Sequence, residues 1–193
     1  MNLYTIRMAS GNDAQVLLDI YNQYIETPVT FEYTLPSREE FQNRIREFSA
    51  EYPYLVLEQD GQIVGYAYAH RREERAAYRW CAELSVYLDQ NSRGKGLGRQ
   101  LYQTLFALLR LQNIQSVYAC ITVPNPRSIG LHRSLGFQEA GRWPKAGYKN
   151  GGWHDVLWMM KEIGPHPDIP APFRPIREIP PEETARILRE AAR

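Results

Sequence analysis

At 193 residues with 44% hydrophobic content, the chain is long enough for one domain with a sizeable core and too short for two ordinary ones. A formal net charge of +1 and a charged fraction of 23% exclude a strongly basic nucleic-acid surface or an acidic tail, so partners must be read from local patterns. The opening run, Met1-Asn2-Leu3-Tyr4-Thr5-Ile6-Arg7, lacks a basic stretch followed by an apolar one, and no apolar run reaches bilayer length; we therefore expect a cytoplasmic protein without a membrane partner.

Residues 3–8 read as a strand, after which Ala14, Leu17, Leu18, Tyr21 and Ile25 recur at helical spacing. Ser37 with Glu40 three positions on is a capping-box signature for a second helix carrying Phe41, Ile45 and Phe48. Residues 54–58 and 62–70 are strands joined at Asp60-Gly61, a hairpin signal. Residues 82–88 form a further strand, and the polar, glycine-rich turn at 89–98 leads into a helix bearing Leu97, Leu101, Leu105, Leu108 and Leu109.

The strand at 115–123 ends at Pro124-Asn125-Pro126, a short helix at 128–135 stops at Gly136, and Asn150-Gly151 turns the chain between two closing strands around 143–148 and 153–160. The globular domain is expected to span 1–163. Seven prolines fall between Pro165 and Pro181, so 164–193 reads as an extended tail with a terminal helix at 184–192. The elements together predict an α+β, three-layer α/β/α domain with a mostly antiparallel sheet. Cys81 and Cys120 sit in apolar segments without metal-ligand spacing and are expected to be buried free thiols; no metal site is expected.

The densest signal is Arg93-Gly94-Lys95-Gly96-Leu97-Gly98-Arg99, between a strand and a helix, where backbone N–H groups and the helix dipole favour an anion. A P-loop would need Ser or Thr after Gly-Lys, and Gly96 stands there; a dinucleotide fingerprint would need its last glycine one position later and an acidic ribose partner. From Gln90 to Gln138 there is no Asp or Glu, while Arg93, Lys95, Arg99, Arg110, Arg127 and Arg133 all lie in that stretch. Such a locally basic region in a nearly neutral chain suits a multiply charged small ligand.

Arg93-x-x-Gly96-x-Gly98 after Val86-Tyr87-Leu88 resembles the acetyl-CoA signature of the GNAT acetyltransferases, and Asn125-x-x-Ser128 with Leu131-His132 and Leu135-Gly136-Phe137 is similar to their second cofactor motif. The likeness narrows to the phosphinothricin and methionine sulfoximine acetyltransferase branch on Tyr24-Ile25-Glu26-Thr27, Tyr52-Pro53-Tyr54-Leu55-Val56, Ala77-Tyr78-Arg79-Trp80 and the run from Ala146 to Asp155. The resemblance implies acetylation of the amino group of phosphinothricin, methionine sulfoximine or methionine sulfone by acetyl-CoA, in a homodimer. It further implies that the backbone of Gly94, Lys95, Gly96, Leu97, Gly98 and Arg99 holds the pyrophosphate and that Val86, Tyr87 and Leu88 pair with the pantetheine arm. Another small amine as acceptor, or a CoA-binding sensor without turnover, stays open.

Acetyl transfer needs a neutral amine, hence a base. Glu83, acidic within a mostly apolar strand, is one candidate; His132, where the branch carries histidine, is a second proton-transfer group or itself the base. The Val86 N–H is the candidate oxyanion donor. Arg75 suits an α-carboxylate, with Phe31, Tyr78 and Lys149 as further wall residues, although a solvated charge, a core ring or a turn residue are the plain alternatives for these positions. His154 and Asp155, adjacent on a strand, point to opposite faces and read as structural.

Overall fold

The computed structural model describes residues 4–191. Seven strands form one sheet in the order β1-β2-β3-β4-β5-β7-β6. They are β1 (Tyr4–Met8), β2 (Tyr54–Gln59), β3 (Gln62–Arg71), β4 (Cys81–Leu88), β5 (Ser116–Val123), β6 (Gln138–Lys149) and β7 (Gly152–Glu162). All neighbours pair antiparallel except β4 and β5. Helices α1 (Ala14–Ile25), α2 (Arg38–Glu51), α3 (Leu97–Leu111), α4 (Pro126–Ser134) and α5 (Pro181–Ala191) complete the chain.

Strand alternation divides the core in two. Leu55 and Leu57 of β2, Ala67 and Ala69 of β3, and Ala82 and Leu84 of β4 face Leu101, Leu105 and Leu108 of α3. Tyr54, Val56 and Tyr66 point the other way, into α1 and α2. The expected three-layer α/β/α arrangement is therefore present, with a mostly antiparallel sheet in the middle.

Helix boundaries differ from expectation where proline and asparagine set them. Helix α3 starts at Leu97 behind Gly96, so Gly98 lies inside the helix rather than in the turn. Helix α4 starts at Pro126, capped by the Asn125 side chain, and α5 starts at Pro181; a proline is tolerated in the first turn because its missing N–H has no helical partner there. Ala192, expected in the last helix, lies outside the described residues, as does Leu3, expected in the first strand.

The segment after Ile163 lies along the globular part. Ile179 and Ile187 are buried, Phe173 packs on Tyr52, and the side chains of Trp80, Gln112 and Asn113 donate to the carbonyls of Ala171, Arg174 and Pro172. This end of the chain shares the core that the sequence reading ended at residue 163. Neither cysteine is fully buried: Cys81 is half-buried and Cys120 is exposed, because Cys120 alternates with the core-facing Ala119 and Ile121 on β5.

Candidate active site

The site begins where the sheet parts. Strand β4 pairs with β3 from Ala82 to Leu88, but with β5 only at Cys81, Ala82 and Glu83. Beyond Glu83 the two parallel strands diverge and leave a slot of about 60 Å³ walled by residues 84–87 and 119–122, with Val29, Tyr102, Asn125, Ser128 and His132 closing its ends. A cleft of about 750 Å³ adjoins it and shares Val29, Val86, Asn125 and Ser128 with it.

The glycine turn forms the far end of this cleft. Gly94 and Gly96 both adopt φ +79°, and a Cβ at either would meet nothing within 4 Å, so glycine is required there by backbone conformation and the turn is open to a ligand. The first-turn N–H groups of α3 lie there with no acidic side chain among them, and Arg93, Arg99 and Arg127 line the same cleft. The predicted cofactor residues Val86, Leu88, Arg93, Gly94, Gly96, Leu97, Gly98, Arg99, Asn125 and Ser128 all reach it; Lys95 is exposed beside it. Tyr87 sends its ring into the α1 layer, 5.1 Å from Tyr21, and contributes to the slot wall instead.

Leu88 departs from expectation. Its N–H donates to the Tyr24 hydroxyl at 3.2 Å and its carbonyl accepts from that hydroxyl at 2.5 Å, so its backbone is already engaged and only its side chain is left for the cleft. The Tyr24 ring carries the Arg93 guanidinium 4.9 Å from its centroid, which fixes a cationic wall to the same element.

His132 is buried among Tyr102 and Phe137. Its Nδ1 lies 2.7 Å from the Ser128 carbonyl, which can only accept, so Nδ1 carries the proton and Nε2 accepts from the Tyr102 hydroxyl at 3.2 Å. Burial lowers the His132 pKa and keeps the ring neutral, while burial raises that of Tyr102.

Glu83 looks the other way. It shares a face with its cross-strand partner His70, whose Nε2 lies 3.9 Å from Oε1, and His70 stacks on Phe48 of α2. Burial raises the Glu83 carboxyl, opposed by His70 and Arg72. Glu83 and His132 therefore lie on opposite sides of the sheet and are not hydrogen-bonded to each other.

The acceptor-wall candidates scatter. Phe31 packs over Gly147 and lies 6.4 Å from the His154 ring. Arg75 and Tyr78 are exposed on the connection between β3 and β4. Lys149 requires correction as a substrate contact. It is 3% exposed, and its ammonium donates to the carbonyls of Ile25, Thr27, Thr30 and Glu32 at 2.6–2.9 Å. An ammonium has three N–H bonds, so none remains for a ligand. His154 and Asp155 are structural as read, bonded to the Lys149 carbonyl and to Arg142.

His70 and Tyr102 escaped the sequence reading, in which Arg127 stood only as part of a basic stretch and Tyr24 only within a family likeness. Tyr102 sits beside Leu101 in an amphipathic helix and looks like any core aromatic. His70 lies one residue before the end of β3, whose register against β4 passes through an irregular nine-residue connection, at residues 72–80, and cannot be counted from sequence. Among the described residues, no cluster of three or more His, Cys, Asp and Glu could hold a metal ion.

Residues 6–158 match the acetyltransferase (GNAT) domain family. The chain is 38% identical to the phosphinothricin N-acetyltransferase of Streptomyces viridochromogenes over 175 residues, covering 90% of this chain and 93% of that one. It is 36% identical to the L-methionine sulfoximine/L-methionine sulfone acetyltransferase of Pseudomonas aeruginosa over 176 residues, covering 86% and 98%. Its fold superposes with a TM-score of 0.84 and 34% identity on a GNAT superfamily phosphinothricin acetyltransferase from Sinorhizobium meliloti solved in complex with acetyl-CoA, covering 88% of this chain and 94% of that one.

Proposed function

This chain belongs to the GNAT acetyltransferase family, and within it we propose an acetyl-CoA-dependent N-acetyltransferase acting on the amino group of phosphinothricin, methionine sulfoximine or methionine sulfone. The observation that carries the reading is the parting of β4 from β5, with an open glycine turn flanked by three arginines at one end and a half-buried carboxylate at its vertex. A bundle of phosphates and a proton-bearing amine are the two ligands these ends suit.

In this reading the cleft takes acetyl-CoA, with Gly94 and Gly96 letting the main chain close on the pyrophosphate and Arg93, Arg99 and Arg127 balancing its charge. The acyl end enters the slot beside Val86, whose N–H is proposed as the oxyanion donor. Glu83 takes a proton from the acceptor ammonium, and the neutral amine attacks the thioester carbon. The Tyr102 hydroxyl turns its one proton from Nε2 of His132 to the departing sulfur and regains a proton from the nitrogen that has just been acylated. Neutral His132, its Nε2 lone pair turned to Tyr102, orients that hydroxyl; its tautomer and lowered pKa support this over a role as base.

A cysteine-linked route is disfavoured, because Cys120, although it keeps an exposed edge, has its thiol desolvated in the slot wall and pushed up to about 12, which leaves little thiolate near neutrality. Phe31, Arg75 and Tyr78 remain acceptor-wall assignments.

The proposal extends to a cytoplasmic homodimer whose activity confers resistance to phosphinothricin. Support for the dimer comes from β6, an edge strand that leaves Trp143 exposed, with Tyr148 and Trp153 beside it. Light scattering on the eluted protein distinguishes dimer from monomer. Thiol release from acetyl-CoA across an amino-acid panel tests the activity: turnover is expected for phosphinothricin, methionine sulfoximine and methionine sulfone, and silence on all three overturns the substrate assignment.

A further inference from the structure

His70 stands directly opposite Glu83 across the β3–β4 ladder. Its ring stacks on Phe48, with centroids 5.1 Å apart, and lies tilted beside Tyr68 at 6.0 Å. Nδ1 lies 2.9 Å from the Arg71 carbonyl and so holds the proton of the neutral ring, which turns the Nε2 lone pair toward the Glu83 carboxyl. The 3.9 Å between Nε2 and Oε1 is within reach of one bridging water or a small torsional adjustment. The His70 side chain is 24% exposed, so the ring touches both the carboxyl and solvent.

We propose that His70 is the proton exit of Glu83: the carboxyl breaks an N–H bond of the acceptor ammonium, passes the proton to Nε2 of His70, and the imidazolium releases it to water. Each cycle thereby returns the carboxylate to its ionised form without the acylated product having to leave first. His70 acts through Glu83 and is a positioning and relay residue. The inference rests on Glu83 being the base.

The other groups around the pair are few. Arg72 and Glu73 act on Glu83 from the connection after β3, Arg72 lying 4.4 Å over the Tyr118 ring of β5. Tyr68 on β3, Tyr102 on α3 and Cys120 on β5 feel the Glu83 charge, and burial raises all three, so they stay protonated through neutrality. Of these groups, His70 in its imidazolium form is the first opposing burial at Glu83, so a variant without that ring should find the carboxyl harder to ionise.

The test is the pH profile of kcat/KM for His70→Phe, which preserves the stack on Phe48, and for His70→Gln, with acetyl-CoA affinity as the check on folding. The acidic limb is expected to move to higher pH in both, lowering kcat/KM about tenfold below the limb for each pH unit of displacement while the alkaline plateau falls less. An unmoved limb with a uniform loss of rate would overturn the relay and leave His70 a packing residue. Glu83→Gln separates the two ideas: a wild-type rate there removes the base itself, whereas a dead Glu83→Gln with an unmoved limb in the His70 variants removes only the relay. In the unaltered protein, nitrogen magnetic resonance of the neutral ring should place the proton on Nδ1 and leave Nε2 free to accept; the opposite tautomer would overturn the relay even if neither His70 variant folds.

Discussion

The Tyr102 hydroxyl donates to Nε2 of His132 across 3.2 Å, joining the middle of α3 to the short helix α4 in the wall of the slot. Both residues are buried, so neither can exchange this partner for water without opening the core. If they work as one unit, their effects will not add. Tyr102→Phe and His132→Ala should each lower kcat by about 10²-fold with acetyl-CoA affinity little changed, and the double variant should be no slower than the worse single one. Additive losses in steady-state kinetics would show that the two act separately.

Gly96 offers a cleaner separation of binding from chemistry. Its φ of +79° is strained for any side chain with a Cβ, yet nothing lies within 4 Å of the added atom. Gly96→Val should therefore cost about 1–2 kcal/mol by conformation alone and displace the N–H groups that open α3. Calorimetric titration with CoA should show affinity reduced about tenfold or more. Affinity equal to that of the unaltered protein would remove the turn from the cofactor site.

Much of this site is legible in the chain because it is built from local rules. The capping box at Ser37 and Glu40 forms as read, Asp60 and Gly61 close the hairpin, and the carboxylate gap from Gln90 to Gln138 becomes a cleft lined by arginines. What resists reading is long-range. Lys149 precedes a turn 124 residues after Ile25, and no periodicity announces that its ammonium will meet that carbonyl. Tyr24 shares its helical spacing with core positions, and only the packing of α1 on β4 turns its hydroxyl to Leu88. Glu83 and His132 are each visible as chemistry, but the alternation that puts them on opposite faces depends on which layer each neighbour joins.

Lys149 makes the most specific structural prediction. Its four carbonyl partners fix residues 25–32, and Val29 in the middle of that loop lines both slot and cleft. Lys149→Met keeps the stem but leaves those buried carbonyls without a donor, at about 1–3 kcal/mol for the group most strongly buried. At about 2–4 °C per kcal/mol, Tm should drop measurably, and KM for the acceptor should rise by several-fold. Lys149→Arg should not restore either, because a planar guanidinium cannot reproduce a compact point donor among converging carbonyls. Restoration by arginine would indicate that positive charge alone is needed.

Glu83 should show stability and activity pulling in opposite directions. Its carboxyl is raised above the ordinary value of 4.5, with burial as the leading cause. A raised acid favours the fold while protonated, so its contribution is complete below the unfolded pKa and is lost as pH rises through the folded one. At neutral pH the ionised carboxylate is thus a net cost that the protein carries for its chemistry. Glu83→Gln removes the charge and keeps the shape. Melting curves at pH 4 should place the variant close to the unaltered protein, and curves at pH 8 should place it higher, by about 2–4 °C for each kcal/mol released. Acid effects from other carboxyls are shared by both proteins and cancel in the difference. A variant that melts lower at pH 8, or whose advantage is the same at both pH values, would mean that the ionised Glu83 is satisfied by His70 and Arg72 rather than strained by burial.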